Sequence, residues 1–139
     1  MSSKSAVLDN IAGAAKLVEW FGNWPSFRDA EILEINLRRQ GESQIKLHTW
    51  EIPNQTNDRG YDLQNKNVIV TFRLHDVSDA SLEGFNDQNV ISELKIEQTE
   101  EGFELTLEPS FGVRGMITAG RILIDFEPGR PNGSNSAKR

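Results

Sequence analysis

The spacing of hydrophobic residues along the chain changes once. Over residues 5–21, Val7, Ile11, Ala14, Val18 and Phe21 recur at helical spacing, and Leu8, Ala12 and Ala15 widen the stripe. This predicts one amphipathic helix, ended by Gly22. Gly13 sits in its middle at a cost of about 1 kcal/mol against alanine, which close packing on a sheet would explain. From Ala30 onward the period falls to 2. Leu33, Ile35 and Leu37 alternate with Glu34, Asn36 and Arg38. After the turn residues 40–43, Ile45 and Leu47 alternate with Lys46, His48 and Trp50, so the two runs read as an antiparallel hairpin.

Residues 67–75 form the strongest strand pattern, with Val68, Val70, Phe72 and Leu74 on one face. Ile69 and Thr71 on the other face mark it as central. Residues 76–89 are polar with apolar teeth at Val77, Leu82 and Phe85, which predicts a short strand ending in a turn. A second hairpin follows, from 90–98 through the turn 99–102 to Phe103, Leu105 and Leu107. Pro109-Ser110-Phe111-Gly112 breaks that run; 113–116 reads as a short piece and 120–126 as the closing strand. The expected fold is α+β but mostly β. One N-terminal helix precedes a strongly twisted antiparallel sheet of about seven short strands, open or rolled into a barrel. The globular domain is expected over 1–127, with residues 128–139 a disordered tail. The polar segment 53–66 is either a contact loop or disordered.

Composition narrows the chemistry. With 139 residues and 37% hydrophobic side chains the chain suits one domain with a sizeable core. The absence of cysteine excludes disulfides, thiolate catalysis and cysteine-built zinc sites. No stretch approaches the roughly 20 apolar residues of a membrane span. The N-terminal residues show no secretory pattern, so a soluble cytoplasmic protein is expected. Net charge is −6; the tail from 128 carries +3, and removing that +3 from −6 leaves −9 on residues 1–127. Such a body repels nucleic acid and favours encounter with a basic partner, although mild acidity also serves solubility.

Few constellations suggest catalysis. His48 and His75 lie opposite apolar teeth at a spacing that fits no metal-ligand motif, and strand histidines facing solvent are common. Carboxylate pairs occur at Asp29 and Glu31, at Asp76 and Asp79, and at Glu100 and Glu101, the last most simply a turn. There is no nucleophile elbow, phosphate loop or dinucleotide fingerprint, and no cofactor is implied. The stronger feature is acidic. Between 87 and 108, Glu93, Glu97, Glu104 and Glu108 are expected to project from the polar face of the second hairpin. That face is either a solvated surface or a docking site for a cationic protein.

The connector Trp24-Pro25-Ser26-Phe27-Arg28-Asp29-Ala30-Glu31 is richer than a link requires. Trp24, Pro25 and Phe27 suit a plug between helix and sheet, which leaves Arg28, Asp29 and Glu31 as a charged brace or a contact surface. With it, in order, come Val68-Ile69-Val70-Thr71-Phe72, Leu82-Glu83-Gly84-Phe85-Asn86-Asp87-Gln88-Asn89-Val90-Ile91 and Pro109-Ser110-Phe111-Gly112. Over about residues 15–127 this set resembles the immunity protein 50 family of bacterial polymorphic toxin systems. In that family a histidine often precedes the aspartate of the first motif; here the position is Arg28, which argues against a catalytic or metal role. The resemblance implies a non-enzymatic antitoxin that binds a cognate toxin domain. It marks Trp24, Pro25, Phe27, Phe85, Asn86, Asn89, Phe111 and Gly112 as a structural signature and leaves Asp29 and Glu31 as candidate contacts, beside the four glutamates that the charge pattern singles out. Two alternatives stand beside it: a small-molecule binder or enzyme around Asp29, Glu31, His48 and His75, and a homo-oligomeric module using a sheet edge.

Overall fold

Strict alternation of buried and exposed residues builds most of the sheet. The computed structural model describes residues 7–51 and 66–129. Six antiparallel strands follow the helix: β1 (Glu31–Asn36), β2 (Glu42–Glu51), β3 (Lys66–Glu83), β4 (Val90–Thr99), β5 (Gly102–Phe111) and β6 (Arg114–Pro128). They close into a barrel-like ring in the order β1-β2-β3-β6-β5-β4. Ile45 and Leu47, Val68 to Leu74 at every second position, Leu105 and Leu107, and Ile122 and Ile124 all point inward and are buried. Apart from Lys66, which opens β3, the 53–66 segment lies outside the described residues, as does the tail beyond Gly129.

Six strands replace the expected seven because two are long. β3 continues through the polar residues 76–83, paired with β6 as far as Glu83 opposite Arg114. Asp76 adopts φ 58° and the register shifts between Val77 and Asp79. A bulge of this kind bends a strand and sharpens its twist without ending it. The expected short pieces 113–116 and 120–126 are likewise one strand, β6. Pro109 does not stop β5 either, because it sits opposite Ile91 where the β4 register is already irregular. In β1 a register shift between Ile32 and Glu34 breaks the expected Leu33, Ile35, Leu37 face. Ile32 is buried and Ile35 pairs with buried Ile45, while Leu37 is exposed.

The helix is shorter than the apolar stripe predicts. Helix α1 runs Ala14–Phe21; Val7 and Leu8 are helical too, but residues 9–13 between them and α1 are not. The cause is a backbone contact. β5 pairs with β6 only up to Phe103 opposite Ala119, so the later part of β6 has lost that neighbour. Ala12 takes the vacant edge: its carbonyl accepts from Ile124 N–H at 2.8 Å. Gly13 has φ 92°, and a Cβ there would lie 2.0 Å from the Ile124 carbonyl oxygen. Only glycine fits both the angle and the approach. From this anchor α1 buries Ala14 and Leu17 and ends at Gly22, whose N–H donates to Val18 O at 2.7 Å. No described helix is long and apolar enough to cross a membrane.

Candidate functional site

The scattered signature stretches form one corner, where the ring closes. β1 and β4 share a single paired position, Glu31 opposite Val90, and neighbouring main-chain bonds reinforce it. Asp29 N–H donates to Ile91 O at 2.8 Å, Ile91 N–H to Ala30 O at 3.0 Å, and Ile32 N–H to Asn89 O at 2.8 Å. Phe27 and Asp29 hold left-handed backbone angles, φ 60° and 66°. For a bulky residue such as phenylalanine this is costly and persists only where packing over-determines it. That packing is present: the fully buried Phe27 ring lies 5.8 Å from Phe72 and 5.5 Å from Trp24. Pro25 is buried and Trp24 half-buried.

Asn89 ties the corner together. It is 3% exposed, and its Oδ1 accepts from the N–H groups of Asn86 and Val113, both at 3.0 Å. Its Nδ2 donates to Asn86 O at 2.6 Å. Asn86 in turn bonds Gly84 O through Nδ2 and accepts from Gln88 N–H. Gly112 (φ 81°) passes so close that a Cβ would sit 2.4 Å from Asn89 Oδ1. Asn86, Asn89 and Gly112 are thus parts of one latch. Phe85 and Phe111, from the same signature, face outward, 56% and 59% exposed.

Arg28, Asp29 and Glu31 are exposed, and none of them makes an ion pair among the described residues. What Asp29 contributes to this corner among the described residues is its backbone N–H, bonded to Ile91 O. His48 and His75 do not meet. His48 is opposite Ile69 on β3 and His75 lies six residues further along that strand, about 20 Å away. His48 Nε2 is 3.0 Å from Asn67 Oδ1, and His75 Nε2 is 3.3 Å from Glu42. Among the described residues no group of three His, Asp or Glu side chains could hold a metal ion.

The outer surface has two contrasting faces. On β2, β3 and β6, unlike charges are paired. Arg73 bonds Glu42 at 2.5 Å and also Asp125. Hydrogen bonds from Gln44 and Arg73 hold the Glu42 carboxyl below its usual range. Bonding to Asp125 and Glu42 raises Arg73 further above its ordinary value. Arg73 and Asp125 sit at a shallow groove of about 720 Å³, lined also by Leu33, Lys46 and Ile69.

On β4 and β5 the charges are alike. Glu93 stands opposite Glu108, and Glu97 opposite Glu104. Residues directly opposed share a face, so all four glutamates project outward together. Among the described residues the one ion pair here is Lys95 Nζ to Glu108 Oε2, 3.7 Å. The face continues onto β6 and β3: Glu104 is opposite Thr118 and Thr118 opposite Asp79, while Thr106, Met116 and Ser81 form the next row. Sequence reading missed Met116 and Asp79 as members of this face, because it treated their strands as short pieces. The signal available was the even-numbered alternation of Arg114, Met116 and Thr118.

The model of the immunity protein 50 family matches residues 13–125, most of the chain, and the chain belongs to that family. Neither a curated protein nor a solved structure matches it.

Proposed function

We propose that this protein is a non-enzymatic antitoxin, which binds a cognate toxin domain in the cytoplasm and blocks it by occlusion. Family membership supports an immunity role. The observation that carries the docking site is the like-charge pairing of Glu93 with Glu108 and of Glu97 with Glu104. Like charges directly opposed on a sheet destabilise it. A cationic partner relieves that repulsion and is steered toward the face before contact. Asp29 and Glu31 extend the negative potential to the seam beside it. The alternative site around Asp29, Glu31, His48 and His75 is split: Glu31 stands directly opposite His48, while His75 lies about 20 Å further along the sheet, which favours the binding reading.

Co-expression with the toxin domain encoded immediately upstream tests the reading. Cells survive only when this chain is present; equal killing with and without it ends the proposal. Reversing Glu97, Glu104 and Glu108 to lysine slows association by about tenfold or more at low salt. An unchanged on-rate and salt dependence would move the docking site elsewhere.

A further inference from the structure

We infer that Phe85 and Phe111 are the apolar anchors of the toxin contact, taken up by an apolar pocket that basic residues surround on the partner. The inference rests on the antitoxin reading and adds residues and a binding mode to it. Three observations carry it. First, both rings are more than half exposed, in a fold that buries Phe27, Phe72 and Phe103 almost completely. Second, both rings flank rigid backbone. A Cβ on Gly84 would lie 2.8 Å from Gly112 O, so the residues preceding Phe85 and following Phe111 are in contact. The Asn86 and Asn89 bonds hold the first of these segments, and pairing with Val90 holds Phe111. Anchors presented on ordered backbone lose little conformational entropy on binding.

Third, the surroundings specify the partner. Phe111 continues the row Glu31–Val90 on the outer face, Asp87 lies on the Phe85 turn, and Glu83 ends β3 just before it, opposite Arg114. Glu108 is three residues before Phe111, opposite Glu93. Exposed aromatics in a rim where Glu31, Glu83, Asp87 and Glu93 outnumber Arg114 match a partner with the complementary arrangement, an apolar pocket in a Lys/Arg-rich surface. The same rim repels nucleic acid. Steering and anchoring are then divided between neighbouring parts of one surface: the glutamate rows raise the on-rate, and the rings hold the complex once formed.

Binding kinetics of the full chain with the purified upstream-encoded toxin domain test this division. Phe85→Ala and Phe111→Ala each raise koff by about 30-fold, equivalent to about 2 kcal/mol. Their on-rate, its salt dependence and the melting temperature stay at wild-type values. If koff in the double variant remains within about threefold of wild type, the anchor assignment is wrong. Sedimentation of the wild type and the double variant completes the test. A wild-type dimer that the double variant converts to monomer, with toxin koff unchanged, would assign the rings to a second copy instead. Failure of the underlying reading looks different: the wild-type chain itself gives no protection and no complex, and the anchors then fall with it.

Discussion

Replacing Asn89 with alanine tests whether the signature exists to latch the ring. The side chain makes three hydrogen bonds, accepting from Asn86 N–H and Val113 N–H and donating to Asn86 O. Each contributes about 1 kcal/mol net. Val113 is fully buried, so its N–H loses a partner that water cannot easily replace, at a cost of about 1–3 kcal/mol for that group. These terms overlap, and the expected loss is about 3 kcal/mol. For a chain of this size that lowers the melting temperature by about 10 °C. Urea denaturation with linear extrapolation measures it directly. Gly112→Ala strikes the same latch from the other side, through a Cβ placed 2.4 Å from Asn89 Oδ1 at φ 81°, and is expected to cost at least as much. A loss below about 1 kcal/mol in both variants, with toxin binding abolished, would refute the latch and make the motif a contact surface.

Three further outcomes are expected. Gly13→Ala destabilises by more than about 2 kcal/mol, since its Cβ meets the Ile124 carbonyl at 2.0 Å and φ is 92°; a neutral result would mean that the Ala12–Ile124 pairing is dispensable. Glu97→Lys turns a repulsive pair with Glu104 into an attractive one, raising stability by about 0.5 kcal/mol, or about 2 °C, while slowing toxin association. A destabilised variant would show that the pair carries no repulsion. The Glu42 carboxyl is held below its ordinary value of 4.5, so its contribution is complete above that pH and is lost as pH falls through the lower folded value. Glu42→Gln should therefore flatten the acid limb of stability below that pH; parallel curves for the two proteins would contradict this.

Side-chain alternation made the second hairpin legible almost residue by residue, because Leu94, Phe103, Leu105 and Leu107 are buried where every second position predicts. It does not register backbone contacts. The stripe of residues 5–21 looks helical throughout, yet Ala12 pairs with β6 and Gly13 breaks the turn. Likewise the alternation of Leu33, Ile35 and Leu37 carries no mark of the register shift that reverses it. β3 and β6 looked shorter than they are because their far ends carry outward polar residues and a strand is recognised by its buried face. The signature could be read as a set but not as a place. Asn89, Gly112 and Asp29 are distant in sequence, and only ring closure brings them together. Exposure of Phe85 and Phe111 ran against the ordinary expectation that phenylalanine is buried.

The arrangement of charge, more than its amount, argues for a docking face. Net negative charge aids solubility wherever the acids stand, so solubility alone does not require Glu93 opposite Glu108 or Glu97 opposite Glu104. The same fold shows the alternative on its other side. There Arg73 is shared between Glu42 and Asp125, and Glu34 stands opposite Lys46. A sheet that pairs unlike charges on one face and like charges on another concentrates its repulsion in one place, offset there only in part by Lys95 on Glu108. That place adjoins the seam where the fold exposes two aromatic rings. The repulsion slightly weakens the free protein, and a cationic partner would convert the same groups into attraction. Stability and recognition therefore pull in opposite directions at these four glutamates. A surface kept only for folding or solubility would show no such opposition.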